Sequence, residues 1–196
     1  MLPCRSLAMS KIRERLTAAA NSQELVQITR SIRRADRLEG FALDIGRGWL
    51  LLHRASHDMF LDGYVAIRVG DVKKVTPWGG TDGFPARALE HFGETPRALA
   101  SALDLKSTRT LLPAVAAVTP LVTIHIEGKD PTVCYVGKAI GASPKALWLL
   151  EISPGAKWET EPTKWPFRDI TRVEFGGRYE QALHAVGGDP PPGTRG

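Results

Sequence analysis

Two stretches of this chain read as copies of one another. Leu25-Val26-Gln27-Ile28-Thr29 is echoed by Leu121-Val122-Thr123-Ile124-His125, and Gly40 by Gly137. Asp71-Val72-Lys73-Lys74-Val75 returns as Asp169-Ile170-Thr171-Arg172-Val173. Gly40 to Asp71 spans 31 positions and Gly137 to Asp169 spans 32, so the register holds to one residue. A self-similar chain builds one supersecondary unit twice, which narrows the possible folds more than any single motif does.

Each copy opens with a helical pattern. Lys11 to Ala20 follows Ser10, a good N-cap, and carries Ile12, Leu16 and Ala19 on one face before Asn21-Ser22 stops it. In the second copy Ser107-Thr108 precedes Leu111, Leu112, Val115 and Val118, and Pro120 closes the segment. Pro113 fits this helix only in its first turn, where no backbone donor is needed. Strand-like runs follow. Leu121 to Ile126 alternates and is β-branched, and Gly128-Lys129-Asp130 turns it into Val133-Cys134-Tyr135-Val136. Leu25 to Arg37 suits a helix equally well, and only its match to Leu121–Ile126 assigns it to a strand. Phe41 to Ile45 turns at Gly46-Arg47-Gly48 into Trp49 to His53, as Lys138 to Ile140 turns at Ser143-Pro144 into Leu147 to Ile152. Tyr64 to Val69 corresponds to Trp165-Pro166-Phe167, ahead of the Asp-aliphatic-x-basic-Val strand. Gly83 to Gly93 and Gly177 to Gly187 each predict a short closing helix.

A helix leading into five short, bent strands resembles the Sm-like (LSm) superfamily. Ile67-Arg68-Val69-Gly70-Asp71-Val72 keeps the Ile, Arg and final Val of that family's fourth-strand signature, with the Gly displaced by one. Trp165-Pro166-Phe167-Arg168-Asp169-Ile170 lacks the Arg-Gly pair, and the family's Asp-x-x-Asn pattern is in neither copy. The resemblance implies a mainly β fold with short helices (α+β): two tandem Sm-like small five-stranded barrels, each preceded by a helix. It carries over no RNA site. The expected organisation is an N-terminal extension without a fold role (1–8), a first repeat (9–93), a linker with a short helix (94–106), a second repeat (107–187) and a disordered tail (188–196).

Composition sets the surroundings. The 43% hydrophobic and 24% charged content of the 196 residues is that of an ordinary globular chain. No apolar run approaches the roughly 20 residues of a membrane span, and the N-terminus lacks the apolar core of a secretory signal. Cys4 and Cys134 give neither a disulfide framework nor zinc spacing, and Cys134 reads as a small buried side chain. A cytoplasmic protein without membrane contact is the expectation.

The formal charge is +5. Residues 1–93 hold 14 Lys/Arg against 10 Asp/Glu, and the remainder 12 against 11. Much of the excess lies in Arg30, Arg33, Arg34 and Arg37. With Arg68 for phosphates and Trp158 for stacking, these are the candidate nucleic-acid contacts. His53, His57, Asp58 and Asp62 form the densest set of acid/base or metal-ligating groups, although Asp62-Gly63 is also a turn signal. Asp71 and Asp169 are expected to cap the turns before the last strands. No phosphate-cradling loop, nucleophile motif or cofactor signature is present. The function expected is a non-enzymatic binding or assembly module contacting protein or RNA. The alternative is a metal- or small-molecule-dependent activity at the His53/His57/Asp58/Asp62 loop.

Overall fold

The computed structural model describes residues 4–80 and 82–191. Helix α1 (Cys4–Asn21) is followed by β1 (Leu25–Arg30), β2 (Leu38–Ile45), β3 (Trp49–Ala55), β4 (Leu61–Arg68), a single 3-10 turn (Val69–Asp71) and β5 (Val72–Pro77). Helices α2 (Phe84–His91) and α3 (Thr108–Ala116) come next. The second set of strands is β6 (Val122–His125), β7 (Cys134–Ser143), β8 (Ala146–Glu151), β9 (Thr163–Pro166) and β10 (Arg172–Phe175), closed by α4 (Arg178–Gly187). All ten strands form one antiparallel sheet in the order β5-β1-β2-β3-β4-β10-β6-β7-β8-β9.

The expectation of two separate five-stranded barrels is therefore corrected. A barrel closed on itself would pair its fourth strand with its own fifth. Here β4 pairs instead with β10, placing Ile67 opposite Arg172, Ala66 opposite Val173, Val65 opposite Glu174 and Tyr64 opposite Phe175. The apolar interior is likewise shared. Trp49, Leu51 and Ala66 of the first half pack in one cluster with Leu147, Leu149, Val173 and Phe175 of the second. Strand edges and apolar faces are satisfied across the junction, so neither half has cause to close alone.

The strand order within each half is the same: β5-β1-β2-β3-β4 and β10-β6-β7-β8-β9. Both second strands carry a glycine where the neighbouring strand approaches closely. Gly40 lies opposite Arg54, and a Cβ on it would collide with the His53 carbonyl oxygen. Gly137 lies opposite Glu151, where a Cβ would collide with the Leu150 carbonyl oxygen. A register shift follows in each strand, between Ala42 and Asp44 and between Ala139 and Gly141. An unpaired extra residue tightens the local twist and bends the strand.

The two faces of the first half are covered differently. Leu16, Ala19 and Ala20 of α1 bury Val26, Leu50, Leu52, Val65 and Ile67. Leu111, Leu112 and Val115 of α3 seal the opposite, shared cluster, together with Leu103 and Leu105. Residues 94–106 form no helix, contrary to expectation, and are held by those leucines in the core. Helix α1 begins at Cys4, inside the segment expected to have no fold role, and Ser10 donates to Glu14 at 2.8 Å within the helix instead of capping it. Ser107 does cap α3, in a reciprocal capping box with Thr110. Pro113 sits beyond the first turn of that helix. Of the tail expected to be disordered, residues 192–196 lie outside the described residues. Among the described residues no helix is long and apolar enough to cross a membrane.

Gly137→Ala should destabilise the fold by about 2–4 kcal/mol, the range for forced backbone displacement in a core. Urea denaturation measures it, with Gly155→Ala, whose Cβ would meet only the Ser153 hydroxyl at 3.8 Å, as the near-neutral comparison.

Candidate functional site

The most highly charged part of the interior lies where the halves meet. Arg30, at the end of β1, reaches Glu127 just beyond β6, 97 residues away. Both ends of the guanidinium engage the carboxylate, one of the two bonds at 2.6 Å, and Nη2 also donates to the Asp36 carbonyl at 3.2 Å. Neither side chain has appreciable solvent contact. Thr171 donates to Glu127 at 2.8 Å, and Arg172 lies 3.7 Å from both Glu127 and Asp36. Arg172 pairs in turn with Glu174, which Arg54 reaches at 3.3 Å. Three arginines thus oppose three carboxylates across the junction. Burial pushes the Glu127 carboxyl up, but the bonds and charges of Arg30, with Thr171 and Arg172, outweigh that and hold it below the usual range.

His125 borders this network. Burial, then the charges of Arg172, Arg30 and Arg54, drive its pKa down to about 3 against the opposing pull of Glu127. Its Nε2 has no hydrogen bond, with Glu174 at 3.7 Å. The imidazole is therefore neutral in the folded protein at neutral pH.

The sequence-predicted nucleic-acid contacts divide into two groups. Arg33, Arg34 and Arg37, in the loop between β1 and β2, are exposed. No ion pair among the described residues involves them. Arg30 is buried in the junction, so it cannot meet a phosphate. Arg68 is half-buried, donates to the Phe167 carbonyl at 2.6 Å and lies over the Trp49 ring. Trp158 is not exposed: its indole donates to Gly187 at 3.2 Å and packs beside Leu121, Ile152 and Leu183. Lys73 and Lys74, exposed on β5, are counted in the basic excess of the first half but lie outside the candidate set. The Ser31 amide donates to the Asp71 carbonyl at 2.7 Å, which seats the arginine loop beside the start of β5. Paired lysines in the final strand of only one copy were the available signal.

The His/Asp group does not converge. His53 is buried, accepts from the Arg97 amide at 3.1 Å and stacks on Tyr64, and burial lowers its pKa. His57 is exposed beside Trp78 and lies 3.7 Å from Glu39. Asp58 is exposed, and Asp62 accepts the Arg178 amide at 2.8 Å at the start of α4. No group of three potential metal ligands is brought together among the described residues. The capping role expected of the paired aspartates is not met either. Asp169 pairs with Lys129 at 2.8 Å, while Asp71 Oδ2 is buried without a hydrogen-bond partner among the described residues. Cys134 is a free, exposed thiol instead of a buried one; desolvation and the nearby Glu174 raise its pKa, which keeps it protonated.

Beside the arginine loop opens a cleft of about 590 Å³. Gln27, Leu38, Glu39 and Ala55 line it, with Arg37, Arg54, Arg172 and His57 around them. It draws on both halves, because Arg172 belongs to β10. No family model, curated protein or solved structure matches this chain.

Glu127→Ala leaves Arg30 buried and unpaired and should destabilise the protein by about 3–5 kcal/mol. Lys129→Ala, at an exposed pair, should cost less than about 1 kcal/mol by the same denaturation measurement. Stability should also fall with acid. The unfolded chain protonates His125 near 6.5 and the folded one only near 3, so the loss begins as pH drops below about 6.5. Between pH 7 and pH 5 it should reach about 2 kcal/mol, and His125→Gln should remove that dependence.

Proposed function

We propose that this chain is a non-enzymatic RNA-binding module, a fused pair of Sm-like units holding single-stranded RNA along a basic band on the first half. One observation carries the reading. Buried Arg30 and Arg172 and partly exposed Arg54 each have a carboxylate partner, whereas exposed Arg33, Arg34, Arg37, Lys73 and Lys74 have none among the described residues. Five unpaired cations on a loop and the adjoining edge strand attract a polyanion and release its counterions on contact.

The sheet edges support this choice over growth by added strands. β5 presents two lysines and ends at Pro77, and β9 is four residues long with Lys164 and Pro166. Lysine and proline on short edges discourage a further strand. A protein partner is the second reading, favoured by Phe84, the first residue of α2, and Phe92, just past its end, both about two-thirds exposed.

Single-stranded RNA should bind with a strong salt dependence. Replacing Arg33, Arg34 and Arg37 together by Ala should lower the slope of log K against log salt by about 2, at roughly 0.7 per phosphate contact. Fluorescence anisotropy over a salt series measures this. An unchanged slope removes the RNA reading, and recovery from cells of a bound protein that survives nuclease treatment supports the second.

A further inference from the structure

The cleft beside the arginine loop has a polarity that counterion release alone does not require. Its rim is predominantly cationic, with Arg37, Arg54 and Arg172 outnumbering the exposed carboxylate of Asp36, which lies 3.7 Å from Arg172. Arg37 is exposed and has no ion pair among the described residues, and Arg54 gives one Nη to Glu174 while its side chain stays 40% exposed. Its floor carries a carboxylate. Glu39 is buried in β2, opposite Gln27 of β1, with only 6% of its side chain exposed. The Gln27 amide donates to Glu39 Oε1 at 2.9 Å. Oε2 has His57 at 3.7 Å, beyond hydrogen-bond length. No arginine or lysine of the structure pairs with Glu39 among the described residues.

A carboxylate with acceptor capacity left at a cleft is matched by a ligand that supplies N–H groups. A flat edge with two parallel N–H donors matches its two oxygens best. Arg37 and Arg54 require that the same ligand carry an anion. A guanine nucleotide has both features, the N1–H and N2–H donors on its pairing edge and a phosphate on its ribose. Adenine presents one donor and one acceptor on the corresponding edge, so a carboxylate rejects it. The volume falls within the range of small-molecule sites, and single-stranded RNA is commonly read by splaying a base into such a pocket.

We infer that the cleft between Glu39 and the Arg37/Arg54 rim is a guanine-nucleotide subsite, in which Glu39 accepts from the base edge and the arginines hold the phosphate. This rests on the RNA-binding reading and adds sequence preference to it. Glu39 selects the base, and the exposed arginine loop carries the neighbouring phosphates.

The test is isothermal titration of the full chain with 5′-GMP, 5′-IMP, 5′-AMP, inorganic phosphate and L-arginine. GMP should bind about tenfold or more tightly than AMP, and more tightly than IMP, which lacks the N2 amine. In Glu39→Gln the amide offers one donor and one acceptor, so the preference should turn toward AMP. Arg37→Ala should weaken GMP and AMP by the same factor. Equal binding of GMP, IMP and AMP overturns the assignment, as does phosphate binding as tightly as GMP. L-arginine binding in preference to GMP also overturns it, since the cleft would then be reading a guanidinium. The GMP/IMP comparison uses unaltered protein, so it decides the matter even if Glu39→Gln fails to fold. RNA that binds with the expected salt slope while GMP does not bind removes the subsite and leaves the RNA reading standing.

Discussion

A strand edge carries backbone donors and acceptors that must be hydrogen-bonded or hydrated. In this chain β10 takes the edge of β4. That pairing joins two five-stranded halves into one sheet, and much of the remaining architecture follows from it. It carries Val173 and Phe175 into the cluster that contains Trp49, Leu51 and Ala66, so the halves share an apolar interior. It also directs Arg172 and Glu174 to the opposite face, where β10 meets Arg54 and His125.

The same junction accounts for the buried charge. An arginine and a glutamate removed from water lose hydration that only close, well-oriented pairing offsets. Arg30 and Glu127 satisfy that condition through two bonds, with Thr171 supplying a third to the carboxylate. Because the partners come from different halves, the pair holds together only when the halves meet in one arrangement. His125 makes the folded junction sensitive to acid, since its imidazole, desolvated and beside the Arg172 charge, resists protonation in the folded protein.

Pairing within the junction separates the basic residues by role. Those that face the other half are neutralised there, and those on the β1–β2 loop and β5 remain available to an outside anion. The cleft stands on the boundary between the two groups, with Arg172 on one side and Arg37 on the other. Glu39 is the exception within it, a buried acid bonded to Gln27 and approached by His57, with no arginine or lysine paired to it among the described residues.

The mainly β content with short helices was legible in the amino-acid sequence, because strand propensity, turn residues and helix caps act over a few neighbouring residues. Ser107 and the spacing of Gly40 and Gly137 belong to that class. What tertiary structure alone decided is which edge meets which, and with it the fate of individual charges. Arg30 and Arg33 are indistinguishable by composition, yet one is buried against Glu127 and the other faces solvent. Trp158 and Cys134 exchanged their expected exposures for the same reason. Such outcomes depend on contacts between segments far apart in the chain, whose energies no local pattern encodes, and the choice of an open ten-stranded sheet over two closed barrels was made at that level.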